Sequence, residues 1–235
     1  MSISNSRLDR FISEKCNVNR KSVRLLVAQK RIKVDGSIVD DVALAINKFS
    51  IISFDDKLLQ GNTASYVMLH KPIGVVCATK DNEHKTVIDL LDEKQFPHKK
   101  ALHIVGRLDL NTSGLVLLTN DSRWSEKLTS PTQKVEKHYL VTLKKPLTVD
   151  YIQAFEKGMY FEYEDITTLP AKLEILSPYQ AKVVLTEGKY HQIKRMFGRF
   201  RNPVVALHRY AIGDYVLDEA LKAGQSKSID VAVIL

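Results

Sequence analysis

The segment from Gly106 to Thr119 constrains the fold more than any other part of this sequence, because it joins a polar turn to a short apolar run. The apolar residues 115–118 predict a buried strand, and the Asn-Thr-Ser-Gly sequence of residues 111–114 predicts a turn just before it. A strand buried in a core holds the loop that precedes it. We therefore expect residues 106–114 to present polar side chains from a rigid support.

Asp109 is the candidate reactive group of this segment. Arg107 precedes it by two residues, and side chains two residues apart in an extended stretch lie on the same face. A cation there favours the ionised carboxylate, which can act as a nucleophile. The alternative is a turn residue that hydrogen-bonds its own backbone. Because Arg-Leu-Asp also occurs at residues 7–9, the tripeptide alone does not identify a catalytic aspartate.

The chain is basic, with a formal net charge of +8 over 235 residues. Such a charge favours a polyanionic partner, either nucleic acid or a membrane surface. The apolar runs are far shorter than the roughly 20 residues of a membrane-spanning helix, and no signal-peptide core is visible, so we expect a cytoplasmic protein without a membrane anchor. Cys16 and Cys77 are too few for a disulfide framework or a zinc site, so we expect buried thiols and no metal.

The first 60 residues predict a small basic domain. Residues 7–33 hold nine Lys or Arg against two acids. Apolar residues at helical spacing predict two helices there, residues 32–39 predict a hairpin around Asp35-Gly36, and residues 51–54 predict another strand. The positive face suits RNA, and the alternative is a solvated pair of basic helices. The candidate RNA-binding residues are Arg7, Arg20, Lys21, Arg24, Lys30 and Arg31.

Residues 61–235 predict a second, larger domain that follows a polar joint at residues 60–63. Short apolar runs predict strands at residues 66–69, 115–118, 139–143, 173–176 and 181–185. Helices are predicted near residues 86–91 and 149–157. Because strands outnumber helices, the predicted fold class is α+β.

Four stretches of the second domain resemble one family. Residues 106–119 resemble the catalytic signature of pseudouridine synthases of the ribosomal small-subunit (RsuA-like) type, and residues 68–77, 136–141 and 187–209 resemble further motifs of that family. The first sixty residues resemble an S4 RNA-binding domain. Together the resemblance covers nearly the whole chain. It implies an S4-like domain at residues 1–60 and a catalytic domain at residues 61–235, with a mixed, mostly antiparallel sheet flanked by helices.

The resemblance also implies roles for five residues. Asp109 takes the position of the catalytic aspartate, and Lys194 takes that of the basic residue that pairs with it, which is often Arg in the family. Tyr139 matches the tyrosine that packs against the target base, and Leu207 matches the apolar residue under the uracil pocket. We expect Arg107 to fill the space that an extruded nucleotide leaves, or to hold a phosphate.

Other residues of these stretches receive structural interpretations. Residues 188–213 contain six Lys or Arg and no acid, an excess that is predicted to hold phosphates or to pair with a buried carboxylate. Ile193, Met196 and Phe197 are predicted core residues. The family more usually has Asn at position 70, and His70 is interpreted as a structural substitution without a role in proton transfer.

The implied activity is the isomerisation of a uridine to pseudouridine in 16S ribosomal RNA, without a cofactor. The expected protein is a monomer that acts on ribosomal RNA, with an assembly intermediate of the small subunit as one form of the substrate. Alternatives are a large-subunit (23S) synthase of the same family and a non-catalytic RNA-binding assembly factor. A glycosidase is a further alternative, for which Glu187 is the nearest candidate for a second carboxylate.

Overall fold

The computed structural model describes residues 6–231. The chain divides into two compact units, of which the first ends at Ala64 and the second begins at Ser65. Within the described range, no helix combines the length and the apolar character needed to cross a bilayer. Each unit has its own apolar core.

The first unit packs two helices against short antiparallel strands. Its elements are β1 Ser6–Arg7, α1 Leu8–Cys16, α2 Arg20–Ala28, β2 Ile32–Val34, β3 Ser37–Ile38, β4 Ala45–Ile46, β5 Ile52–Phe54 and β6 Lys57–Gln60. Strands β2, β3, β5 and β6 form one sheet in the order β3-β2-β5-β6, and β1 pairs with β4. Asp35 and Gly36 both have positive φ angles, as a tight hairpin turn between β2 and β3 requires. The two helices and this hairpin are confirmed.

The second unit is built around one large sheet. Its strands are β7 Tyr66–Lys71, β8 His103–Val105, β9 Ser113–Thr119, β10 Lys137–Leu143, β11 Tyr160–Phe161, β12 Ile166–Thr167, β13 Lys172–Ser177, β14 Gln180–Leu185, β15 Val204–Ile212, β16 Tyr215–Val216 and β17 Ser226–Ser228. Its helices are α3 Ser122–Thr129, α4 Asp150–Lys157 and α5 Gln192–Gly198. The five strands predicted here and the helix at residues 149–157 are confirmed.

The main sheet has nine strands, seven of which run in the order β13-β14-β10-β15-β9-β7-β17. Strand β8 pairs with β9, and β16 pairs with β15. Among the described strands, β15 and β9 form the one parallel pair, so the sheet is mixed and mostly antiparallel, as predicted. Alternate residues of β9 enter two apolar clusters, since Val116 and Leu118 pack in one and Leu115 and Leu117 in the other. Strand β9 is therefore buried on both faces of the sheet.

The predicted helix at residues 86–91 is wrong, because this segment forms turns. Its apolar residues Val87, Ile88 and Leu91 are buried as the pattern suggested. The Asp89 carboxylate, however, accepts hydrogen bonds from the backbone amide and the hydroxyl of Thr86, both at 2.8 Å. The amide of Asp89 donates in turn to Oγ1 of Thr86 at 3.2 Å, which is the reciprocal pattern found at helix starts. The amide of Leu91 then donates to the carbonyl of Ile88, so the segment closes as turns and does not continue as a helix.

Gly114 lies where β9 begins and pairs with Arg209 of β15. Its φ angle is +114°, and a Cβ atom there would lie 2.1 Å from the backbone oxygen of Arg209. We predict that Gly114→Ala lowers the free energy of unfolding by at least about 3 kcal/mol, measured by denaturant titration. Gly198→Ala is the control, because a Cβ at the exposed end of α5 meets no atom within 4 Å. Equal stability of the two variants would contradict this account of the β9–β15 junction.

Candidate active site

The Asp109 loop, residues 106–112, connects β8 to β9. It bends at Gly106, which has a φ angle of +74°, and a turn follows in which the amide of Thr112 donates to the carbonyl of Asp109 at 3.1 Å. Leu108 is buried beneath the loop, and its amide donates to Sγ of Cys77 at 3.2 Å. Burial raises the pKa of the Cys77 thiol, so this sulfur stays neutral. The loop is thus anchored on its inner side.

Lys71, at the end of β7, holds the later half of the loop. Its side chain is fully buried, and Nζ donates to the carbonyls of Pro72 and Thr112, both at 2.8 Å, and of Leu110 at 3.3 Å. Burial lowers the pKa of Lys71. Two of these three carbonyls belong to the turn that carries Asp109, so the buried Nζ fixes the later part of that turn.

Arg209, on β15, holds the earlier half of the loop. Its guanidinium is buried and donates to the carbonyls of Gly106 at 2.7 Å, Leu115 at 2.8 Å and Arg107 at 3.3 Å. The sequence interpretation assigned the basic run that includes Arg209 to phosphates or a buried carboxylate. That assignment is wrong for Arg209, because its donors are occupied by backbone oxygens.

A cleft of about 470 Å³, including its open mouth, lies beside the loop. All five residues that the sequence singled out for catalysis or uridine binding line it, namely Arg107, Asp109, Tyr139, Lys194 and Leu207. The other lining residues are Leu108, Thr112, Leu185, Gly188, Lys189, His191, Gln192 and Ile193. Ile193, predicted as a core residue, is buried and also contributes to the cleft, whereas Met196 and Phe197 lie in the core alone.

Two basic side chains flank the carboxylate of Asp109, one at each oxygen. Nζ of Lys194 lies 3.5 Å from Oδ2, and Nε2 of His191 lies 3.6 Å from Oδ1. The separation from Lys194 fits charge attraction, and both separations exceed those of good hydrogen bonds. The Asp109 side chain is 31% exposed, so a ligand in the cleft can reach its oxygens.

Arg107 does not pair with Asp109 as the alternation of side chains suggested. Its side chain is exposed at the cleft, and within residues 6–231 no ion pair involves it. Both residues line the same cleft, but they form no ion pair with each other. Lys194 supplies the neighbouring charge instead.

His191 is a site residue to which the sequence reasoning gave no role. It precedes α5 with a φ angle of +49°, and its ring stacks on that of Tyr190 with centroids 3.9 Å apart. Its spacing from Lys194 was the available signal, because residues three apart at the start of a helix lie on one face. The carboxylate that both side chains face comes from a distant part of the sequence.

The walls of the cleft come from neighbouring strands. Tyr139 of β10 and Leu207 of β15 are both buried and lie on the same face of the sheet, two residues apart in register, because Leu207 is opposite Val141. An aromatic ring and an aliphatic side chain on one surface suit a planar, mostly apolar ligand. The cleft therefore combines this surface with a single flanked carboxylate.

Glu187 is not a second acid of the site. Its Oε1 accepts hydrogen bonds from Nε2 of Gln192 at 2.7 Å and from the amide of Leu169 at 2.8 Å, and Lys189 lies 3.4 Å from Oε2. Asp109 is the one acidic residue that lines the cleft in the described range. A glycosidase with two opposed carboxyl groups does not fit this arrangement.

The sequence model of the RNA pseudouridylate synthase family matches residues 65–198, which is more than half of the chain. The chain belongs to this family.

Several relatives in the synthase family resemble the chain over nearly its whole length. Ribosomal small subunit pseudouridine synthase A of Pseudomonas aeruginosa is 44% identical over 229 residues, which cover 97% of this chain and 98% of the relative. The protein of that name from Escherichia coli is 42% identical over 224 residues, covering 95% and 96%. A crystal structure of a pseudouridylate synthase matches with a TM-score of 0.68 at 41% identity, covering 95% of this chain and 96% of that one.

A histidine pair in this synthase-family unit lies outside the cleft. Nδ1 of His70 donates to the carbonyl of Leu221 at 2.7 Å, and its ring meets His208 edge to face, with centroids 5.5 Å apart. Nδ1 of His208 is in turn hydrogen-bonded to Oγ of Ser113 at 2.9 Å. His70 therefore has structural contacts, as the sequence interpretation expected.

The buried ring of His208 makes the stability of the folded protein depend on pH. Burial, and secondarily His70, lower the pKa of His208 below its ordinary value of 6.5, so the folded protein favours the neutral ring. The unfolded chain binds the proton more readily, so stability is fully present above that ordinary value and falls as the pH drops below it. We predict that His208→Asn, which keeps a partner for Ser113, weakens the fall in unfolding free energy between about pH 6.5 and pH 5. Parallel stability curves for the two proteins would contradict this assignment.

Proposed function

We propose that this protein converts a uridine of 16S ribosomal RNA in the small subunit to pseudouridine. The observation that carries the proposal is the lone carboxylate of Asp109, placed between Lys194 and His191 in a cleft with an aromatic wall. The relatives that match nearly the whole chain are named as small-subunit synthases, which supports this substrate over 23S RNA. A non-catalytic assembly factor would not need such a carboxylate.

The reaction is an isomerisation, so no atoms or electrons are gained overall. The bond between uracil nitrogen and ribose carbon breaks, the base turns, and a carbon–carbon bond to the ribose forms while a proton leaves the ring carbon and another is added to nitrogen. One carboxylate can serve by attack at the sugar, by attack at the ring, or by removal of a ribose proton. Each of these roles needs Asp109 in its ionised form.

Lys194 supports that ionised form. An ammonium 3.5 Å from a partly buried carboxylate stabilises the negative charge. Lysine offers a point charge in place of the planar fork of arginine, so it leaves the carboxylate oxygens free to move toward the substrate. Lys194 is proposed to stabilise the negative charge of Asp109 without imposing a fixed hydrogen-bond geometry on the carboxylate.

Tyr139 and Leu207 are proposed to receive the extruded base. A nucleotide must leave its stack to reach a carboxylate inside the cleft, and that step costs a few kcal/mol. Stacking on an aromatic side chain returns about 1–3 kcal/mol per base. The exposed guanidinium of Arg107 is proposed to bind a phosphate or to fill the space that the extruded nucleotide leaves in the stack.

The first unit is proposed to be an S4-like RNA-binding domain, with the boundary of residues 1–60 expected from the sequence. Arg20, Lys21 and Arg24 are exposed on α2, and Lys30 is exposed after it, without ion pairs in the described part of the chain. Exposed cations without acidic partners are suited to phosphates.

Two of the six candidate RNA-binding residues already have acidic partners. Arg7 donates to both carboxylate oxygens of buried Asp9, at 3.1 and 2.9 Å, and this pairing lowers the pKa of Asp9. Arg31 pairs with Asp55 through two hydrogen bonds. Their contribution to RNA binding is proposed to be smaller than that of the α2 residues.

We further propose a monomeric, cytoplasmic enzyme that acts without a cofactor, with a small-subunit assembly intermediate as one form of its substrate. A uridine can be extruded only where the RNA around it is accessible, and assembly intermediates leave more RNA accessible than the finished subunit does. The net charge of +8 supports an RNA partner.

Asp109→Asn keeps the shape of the side chain and removes its charge. We predict that this variant forms no detectable pseudouridine in 16S RNA, while Lys194→Met lowers the rate about 10- to 100-fold because the neighbouring charge is removed. The measurement is chemical mapping of pseudouridine after incubation with purified protein. Asp214→Asn, an exposed acid outside the cleft, is the matched control and should keep full activity. Pseudouridine formation by Asp109→Asn at the rate of the control would contradict the assignment.

The basic face of α2 is tested by replacing Arg20, Lys21 and Arg24 together with Ala. We predict that this variant binds 16S RNA more weakly. A plot of the logarithm of the binding constant against the logarithm of the salt concentration should also be less steep, by about 0.7–0.9 for each phosphate that the variant no longer neutralises. The control removes the same charge through Lys80, Lys85 and Lys94, which are exposed in the second unit. An equal effect of both triple variants would show that net charge, and not the α2 surface, governs binding.

A further inference from the structure

Thr112 has a buried hydroxyl without a partner. The residue is 1% exposed, and in the described part of the chain its Oγ1 is the one buried side-chain oxygen or nitrogen that lacks a hydrogen bond. Thr112 also lines the cleft beside Asp109. An unpartnered polar atom in a closed environment destabilises the fold, so its presence at a ligand-sized cleft is informative.

Other buried threonines in this unit use their hydroxyls. Thr119 donates to the carbonyl of Ser65 at 2.7 Å and accepts from the amide of Asp121 at 2.9 Å. Oγ1 of Thr168 accepts from the amide of Met159 at 2.9 Å. The Thr112 hydroxyl, which has no hydrogen-bond partner, is therefore an exception among the buried threonines of this unit.

The backbone around Thr112 leaves the residue little freedom to find another partner. Its carbonyl accepts from Nζ of the buried Lys71 at 2.8 Å, and its amide closes the turn with the carbonyl of Asp109 at 3.1 Å. Thr112 and Asp109 thus belong to one turn, and both residues line one cleft.

We propose that Oγ1 of Thr112 forms a hydrogen bond with the target uridine when the nucleotide occupies the cleft, which makes Thr112 a substrate-binding residue. The partner is a polar atom of the nucleotide, either a ribose hydroxyl or a polar edge of uracil. A hydroxyl can donate and accept, so it can serve either group. The inference rests on the proposed function, and it names one contact of that same site.

The test compares Thr112→Val, which replaces the hydroxyl by a methyl group, with Thr112→Ser, which keeps it. Wild type and variants are assayed for kcat/KM on a 16S RNA fragment and for Tm. We expect Thr112→Val to lose about 10- to 100-fold in kcat/KM with an unchanged or higher Tm, because the fold loses no bond. Thr112→Ser should stay within about threefold of wild type.

Thr119→Val is the matched control. Its hydroxyl has two partners in the fold, so its removal should lower Tm while kcat/KM of the folded protein stays near the wild-type value. The inference is overturned if Thr112→Val keeps wild-type kcat/KM, or if it lowers Tm as Thr119→Val does. If the wild-type protein forms no pseudouridine on any 16S fragment, the proposed function itself fails, so the two failures are distinguishable.

A second arm identifies the partner atom by binding. The dissociation constant is measured for RNA with uridine or 2′-deoxyuridine at the target position, with wild type and with Thr112→Val. If the ribose 2′-hydroxyl is the partner, deoxyuridine weakens binding to wild type but not to the variant. If a polar atom of uracil is the partner, deoxyuridine changes both affinities by the same factor, while the variant binds both RNAs more weakly. Equal affinities of wild type and variant for both RNAs contradict the proposed hydrogen bond.

Discussion

The structure of the active-site region depends on two buried cations that hold one loop. Lys71 and Arg209 come from strands on either side of β9, and their donors occupy the carbonyls that flank Asp109. A loop rich in unpaired carbonyls would be unstable in a core, and buried charges without partners would be more so. The carbonyls accept hydrogen bonds from the two cations, so neither is left without a partner. Because both cations come from strands of the sheet, the sheet sets the position of the turn.

In this arrangement, the residues that support the loop differ from the residues that face the reactive carboxylate. The buried cations contact backbone oxygens, while the partly exposed Lys194 and His191 face the carboxylate itself. The carboxylate is therefore both accessible and held in place, and preorganised catalysis requires both properties. The aromatic and aliphatic walls from β10 and β15 add a surface for a flat ring.

Much of this could be predicted from the sequence because it is local. The strand of residues 113–119 and the helix of residues 150–157 follow from apolar periodicity, and the motif resemblance named five residues that the fold brings to one cleft. The turns of residues 86–91 were missed, because Thr86 and Asp89 form the reciprocal bonds of a helix start although the chain closes there in turns. The long-range contacts of Lys71 could not be predicted from the sequence either. A lysine is rarely fully buried, and no residue near Lys71 in the sequence indicates which carbonyls it binds.

The most direct test of the account is a structure of this protein with an RNA that carries its target uridine. The account predicts that the uridine lies outside its stack, with its base against Tyr139 and Leu207 and its ribose or ring in contact with the carboxylate of Asp109. A uridine that remains stacked in the RNA, or a bound nucleotide that does not touch Asp109, would contradict the account.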